Sequence, residues 1–117
     1  MDASGLCLTP GERTAHGGTS LVLAACSDSS TQRWKRLPDG SLENGAGGQC
    51  LDVVDGSLEA GAVVQLFSCN GTAAQQWVPN GEQEIINSAS GKCLDSRSMT
   101  VMGCTGGASQ RWSMPTG

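Results

Sequence analysis

The chain is poor in charge, in aromatic rings and in long apolar runs, and each shortage narrows what it can be. Only 15% of its 117 residues are charged, seven of them Lys or Arg against eleven acids, for a net charge of −4. Seven scattered cations cannot build the clustered basic surface that a phosphate backbone requires, so nucleic acid is not expected as a partner. No apolar run approaches the ~18–20 residues needed to cross a bilayer, and the most apolar stretch, Leu21 to Cys26, has the length of a buried strand. No membrane insertion is expected. The opening Met1-Asp2-Ala3-Ser4-Gly5 is neither basic nor apolar and does not read as a signal peptide. Met1 is therefore read as the start of a mature or excised domain, with part of a natural precursor absent. There is one histidine, His16, and no Cys-x-x-Cys pair, so the spacing offers no zinc site and no metal is expected. No nucleophile elbow, Ser-His-Asp trio or phosphate loop is present, and no carboxylate has a context suggesting a raised pKa. The chain is read as a non-enzyme without cofactors.

What it has in abundance is glycine (17) and cysteine (6). Glycine weakens helix interiors but adopts positive φ freely, which suits short strands joined by tight turns. Six cysteines in so short a chain indicate an oxidising compartment, hence a secreted, extracellular protein. They also reveal a repeat. Cys7, Cys50 and Cys93 lie 43 residues apart. Their followers Cys26, Cys69 and Cys104 each precede a tryptophan by eight, and Trp34, Trp77 and Trp112 each close a Gln-x-Trp triplet. The third copy is eight residues shorter, and the gap falls between its cysteines. The first copy lacks its beginning: the place matching Leu42 and Ile85 falls before Met1, leaving an edge that the tail after Trp112 would have to cover.

Each copy reads as about four short strands. In the second they lie near Leu42, Cys50 to Val53, Val63 to Phe67, and Gln76 to Val78, with Asp39-Gly40, Asp55-Gly56 and Asn80-Gly81 as turn signals. Leu51, Val53, Val64 and Leu66 alternate as in half-buried strands. Repeat logic selects one disulfide per copy, Cys7–Cys26, Cys50–Cys69 and Cys93–Cys104, each worth about 2–3 kcal/mol in the chain-entropy model. The tryptophans, strictly repeated beside Gln, are read as core groups rather than ligand platforms.

Cys50-Leu51-Asp52, Gln65-Leu66-Phe67 and Gln75-Gln76-Trp77 together resemble the ricin B-type lectin repeat, a carbohydrate-binding module also found beside glycoside hydrolases. The resemblance covers nearly the whole chain. It implies an all-β β-trefoil with pseudo-threefold symmetry, six strands in a barrel and six in a hairpin cap, and one shallow sugar pocket per repeat. The chain is thus expected to be a single domain, 1–117, with repeats of about 1–34, 35–77 and 78–117, the first truncated at its start.

A saccharide presents vicinal hydroxyls on one side and an apolar C–H face on the other. A carboxylate accepts the hydroxyl protons, a ring covers the C–H face, and an amide serves a further hydroxyl. In the second copy these are Asp52, Phe67 and Asn70. Gln75 matches the family residue that steadies the acid, and Gln65 is placed to reach the ligand. Ala74 departs from the family pattern, which often has Asn there. In the first copy Thr9 and Ala24 replace acid and ring, so that pocket is expected to be dead. The third keeps Asp95 and Gln110 but has Met102 for the ring, a weak second site at best. Asn70-Gly71-Thr72 also matches a glycosylation sequon, read here as coincidence. The expected function is binding of a galactose-type or xylan/arabinan-type saccharide or polysaccharide, as a targeting module tethered to a glycoside hydrolase or other catalytic domain. The competing reading is a structural or protein-interaction trefoil with degenerate sugar sites.

Overall fold

The computed structural model describes residues 5–13, 18–27 and 29–113. His16, and positions 114–117 of the tail expected to cover the first copy's edge, lie outside them. The described residues form ten strands and four single 3-10 turns and no α-helix. The strands are β1 (Leu6–Arg13), β2 (Thr19–Ala25), β3 (Trp34–Arg36), β4 (Leu42–Asn44), β5 (Cys50–Val53), β6 (Ala62–Phe67), β7 (Trp77–Pro79), β8 (Ile85–Asn87), β9 (Cys93–Asp95) and β10 (Thr100–Met102). The second copy's four strands fall where the alternation and turn signals put them. Among the described residues the first copy has three strands, the second four and the third three, with a single bridge at Trp112.

All pairing is antiparallel, in the order β3-β4-β5-β6-β10-β9-β8-β7, with β1 and β2 joined through β6. Strand β6 is the hub. Its second half pairs with β5, its first half with β10 of the third copy, and Gln65 and Leu66 with β2 of the first. Gly18, just before β2, lies so close to β6 that a Cβ would come within 2.6 Å of the Leu66 carbonyl oxygen. Only glycine permits that approach.

The disulfides are Cys7–Cys26, Cys50–Cys69 and Cys93–Cys104, one in each copy. The core repeats likewise: Leu8, Leu51 and Leu94, then Leu42 and Ile85, surround Trp77 and Trp112, while Trp34 packs against this cluster half-buried. Each indole N–H donates to the carbonyl of the residue after the copy's first cysteine: Trp34 to Leu8 at 3.1 Å, Trp77 to Leu51 at 3.0 Å and Trp112 to Leu94 at 3.0 Å. A buried indole finds its partner in this way, and the bond ties the end of each copy to its second strand. This is a β-trefoil, with the chain's internal repeat expressed as pseudo-threefold symmetry.

One expectation changes. Strand β5 is buried at all four positions and β6 at Val64, Gln65 and Leu66, rather than on one face only. Leu51, Val53, Val64 and Leu66 face the core. The opposite face is covered by the Cys50–Cys69 bridge and the 3-10 turn Ala73–Gln75, which periodicity does not register.

Trp77→Phe should cost about 1–3 kcal/mol through the unpaired Leu51 carbonyl, with a further cavity contribution. Trp34→Phe, at a half-buried position, should cost less. Denaturant unfolding of the two variants checks this, and an equal or reversed ranking contradicts it.

Candidate functional site

Register places the second copy's polar residues together. Across the β5–β6 pair Asp52 faces Gln65 and Cys50 faces Phe67, so these four share the face opposite the core. A cavity of about 470 Å³ opens over it. Asp52, Gln65, Phe67 and Asn70, four of the five residues expected in the site, line it. Thr72, Ala73 and Ala74 form one wall, Asp55 and Gly56 another, and Ala89 reaches in from the third copy. Phe67 is half-buried and outside the core cluster, with part of its ring open to the cavity.

Asp52 is only 6% exposed. Gln65 Nε2 donates to its Oδ2 at 2.9 Å, and the Gln75 side chain supplies a further hydrogen bond. Burial pushes the Asp52 carboxyl above its ordinary pKa, the two glutamine bonds oppose this, and neighbouring Asp55 adds to it. No sequence context signalled that shift, because it comes from packing around β5 rather than from neighbours in the chain. Gln75 is fully buried behind the cavity. Its Oε1 accepts from the Asn70 backbone N–H at 2.8 Å and its Nε2 donates to the Ser68 carbonyl at 2.9 Å, fixing the loop that carries Asn70.

Two of these side chains make internal hydrogen bonds that the sequence did not specify. Gln65, 3% exposed, commits its N–H group to Asp52, while its Oε1 is buried with no partner among the described residues. A hydrogen bond to a carboxylate is stronger than one to a neutral acceptor, so the amide turns its nitrogen to Asp52 even at that cost. Gln65 thus aims the acid. Asn70 uses its Oδ1 locally, accepting from Thr72 Oγ1 at 2.7 Å and from the Thr72 N–H at 3.1 Å. Its Nδ2 donates to no described residue. Asp55, Thr72 and Ala89 were missed by sequence reading. The turn signal Asp55-Gly56 was the one available clue to the first of them.

The family model for the ricin-type beta-trefoil lectin domain matches residues 1–114. The chain belongs to that family. Ricin-type lectin domains are carbohydrate-binding modules, typically non-catalytic. An agglutinin from Abrus precatorius is similar in structure, with 28% identity and a TM-score of 0.78, over 93% of this chain and 42% of that one. A designed threefold-symmetric protein, ThreeFoil, is 28% identical with a TM-score of 0.77, over 92% of this chain and 89% of the designed one. The β-trefoil lectin of the Vibrio vulnificus hemolysin/cytolysin, solved with N-acetyl-D-lactosamine bound, shares the fold at 20% identity and a TM-score of 0.71, over 93% and 84%. The lectin domain thus spans less than half of the Abrus chain. No curated protein sequence matches it.

The other two copies of the lectin repeat lack parts of this arrangement. In the first, Thr9 stands at the Asp52 position, and its hydroxyl accepts from Gln32 Nε2 at 3.0 Å and donates to the Cys7 carbonyl at 2.9 Å. In the third, a cavity of about 320 Å³ is lined by Asp95, Arg97, Ser98, Thr100, Met102 and Gly61. Gln110, 1% exposed, donates to Asp95 Oδ2 at 3.1 Å, and the Arg97 N–H to Oδ1 at 2.9 Å. Thr100 faces Asp95 where Gln65 faces Asp52. Glu84 lies within 4.8 Å of Cys93 and Cys104, but both sulfurs are spent on their disulfide.

Because the folded state holds the Asp52 proton to higher pH than the unfolded chain, stability falls as pH rises from the ordinary carboxylate pKa through the raised one. Asp52→Asn should therefore match or exceed the wild type in stability at neutral pH, with the gain fading below the ordinary carboxylate range. Urea midpoints across pH test this; a variant that is less stable at neutral pH contradicts it.

Proposed function

We propose that the second copy binds one sugar unit of a galactose-type or xylan/arabinan-type saccharide, with Asp52 and Phe67 gripping opposite sides of the ring. The observation that carries this is their placement around one open cavity: a buried carboxylate held by two glutamines, and the chain's only phenylalanine outside the core. The carboxylate accepts protons from vicinal hydroxyls, the ring covers the C–H face, and Asn70 Nδ2 donates to a further oxygen. Gln65 and Gln75 serve the site by orienting the acid and the loop. The domain is proposed to span 1–117 with repeats of about 1–34, 35–77 and 78–117. Asp95, braced by Gln110, offers a weaker second site without a ring.

A single open pocket of this kind implies a Kd of about 10 μM to 1 mM. Working strength then comes from avidity, through a tethered glycoside hydrolase or other catalytic domain on a polymer. Three disulfides fit a secreted, extracellular protein. No helix among the described residues is long and apolar enough to cross a membrane.

Asp52→Ala and Phe67→Ala should each abolish measurable saccharide binding, while Thr9→Ala and Asp95→Ala should change it little. A glycan array of wild type beside these variants, followed by calorimetry on the strongest ligand, checks this. Binding that survives loss of both Asp52 and Phe67 sinks the assignment.

A further inference from the structure

The second-copy cavity has an unbalanced charge: two of its lining residues, Asp52 and Asp55, are carboxylates, and none is Lys or Arg. Asp52 is accounted for by the sugar site itself. Asp55 is not. It is exposed, and its carboxylate accepts no hydrogen bond from any described residue.

The turn favours Asp at this place but does not require an acid. Asp55 and Gly56 have φ of 57° and 62°, in the left-handed region that ordinary residues avoid. In the third copy Ser98 and Met99 occupy the same two places after the Cys-Leu-Asp strand, with φ of 61° and 49°. The same turn is therefore built without an acid. At that copy's cavity the charge also changes: Arg97 stands where the second copy has Val54, and Ser98 where it has Asp55. The scaffold fixes the backbone at this rim and leaves the charge free to vary.

We infer that Asp55 is a specificity-determining residue that makes the second-copy pocket favour saccharides bearing a free ammonium group, hexosamine units, over their neutral parents, and disfavour uronic acids. This rests on the sugar-site reading above and names its ligand class. An ammonium entering the cavity meets two carboxylates and no competing Lys or Arg among the described lining residues, whereas a uronate meets two like charges there. N-acetylation removes the amine's charge and with it the preference.

The test is calorimetric or NMR titration with methyl galactoside and methyl glucoside, their 2-amino-2-deoxy counterparts, the N-acetylated forms and the uronic acids. At about pH 6 and low salt, where the amine carries its proton, the amino sugars of the series that binds should bind about three- to tenfold more tightly than their neutral parents. The advantage should shrink with added salt. Asp55→Ser, which installs the third copy's own residue in the same turn, should abolish the preference, lowering amino-sugar affinity by far more than it changes neutral-sugar affinity. Equal ranking of the charged and neutral sugars by wild type and Asp55→Ser overturns this inference alone. Failure of every sugar to bind wild type overturns the sugar site and this inference with it.

Discussion

The structure depends on one hydrogen bond made three times, from a tryptophan indole N–H to the main-chain carbonyl beside the first cysteine of its copy. Trp77 and Trp112 are buried, and a buried donor without a partner costs about 1–3 kcal/mol, so the ring has one acceptable orientation. In the second copy the accepting carbonyl belongs to Leu51, immediately before Asp52. Two residues before the ring, Gln75 ties the loop at Ser68 and Asn70 and reaches the acid. The Gln-x-Trp triplet is thus a clamp. It holds the strand that bears the acid and the loop that bears the amide in one geometry before any ligand arrives.

That clamp also explains how copies differ at the Asp52 and Phe67 positions without losing the fold. Gln32, Gln75 and Gln110 make the same pair of loop bonds, to an N–H five residues earlier and a carbonyl seven residues earlier. The third bond goes to whatever acceptor the strand supplies: Asp52, Asp95, or in the first copy the Thr9 hydroxyl. Thr9 satisfies the glutamine and offers no carboxylate. The third copy keeps the acid and shortens the hairpin that would carry the ring, leaving Met102. The second copy retains acid, ring and amide on β5, on β6 and in the following loop, and β6 is also the strand that all three copies share.

Residues repeated at a fixed interval were the legible ones. The disulfides, the tryptophans and the second copy's strands follow from a 43-residue register, because equal spacing demands equal local structure. Asp52, Phe67 and Asn70 stood out within that register as a combination that neither other copy has in full, and they line one cavity. The bond from Gln65 to Asp52 was not legible, because it is set by cross-strand register and nothing in the sequence tells which end of the amide faces the acid. Asp55 was taken only as a turn signal. Asp55-Gly56 signals the left-handed turn itself, but which cavity the Asp55 side chain then faces depends on how the turn packs. The raised pKa of Asp52 was invisible for a related reason: burial of both faces of β5 is a property of the assembled repeats.

The central claim is that Phe67 lies flat against the apolar face of a bound sugar while Asp52 holds the hydroxyls on its other side. Because Phe67 is the only phenylalanine, a deuterated domain carrying protonated phenylalanine presents one ring to NMR. Saturating that ring in the presence of the best-binding saccharide should transfer signal to the C–H protons of one sugar face and leave the opposite face dark. Transfer spread evenly over both faces, or none from a sugar that binds, contradicts it.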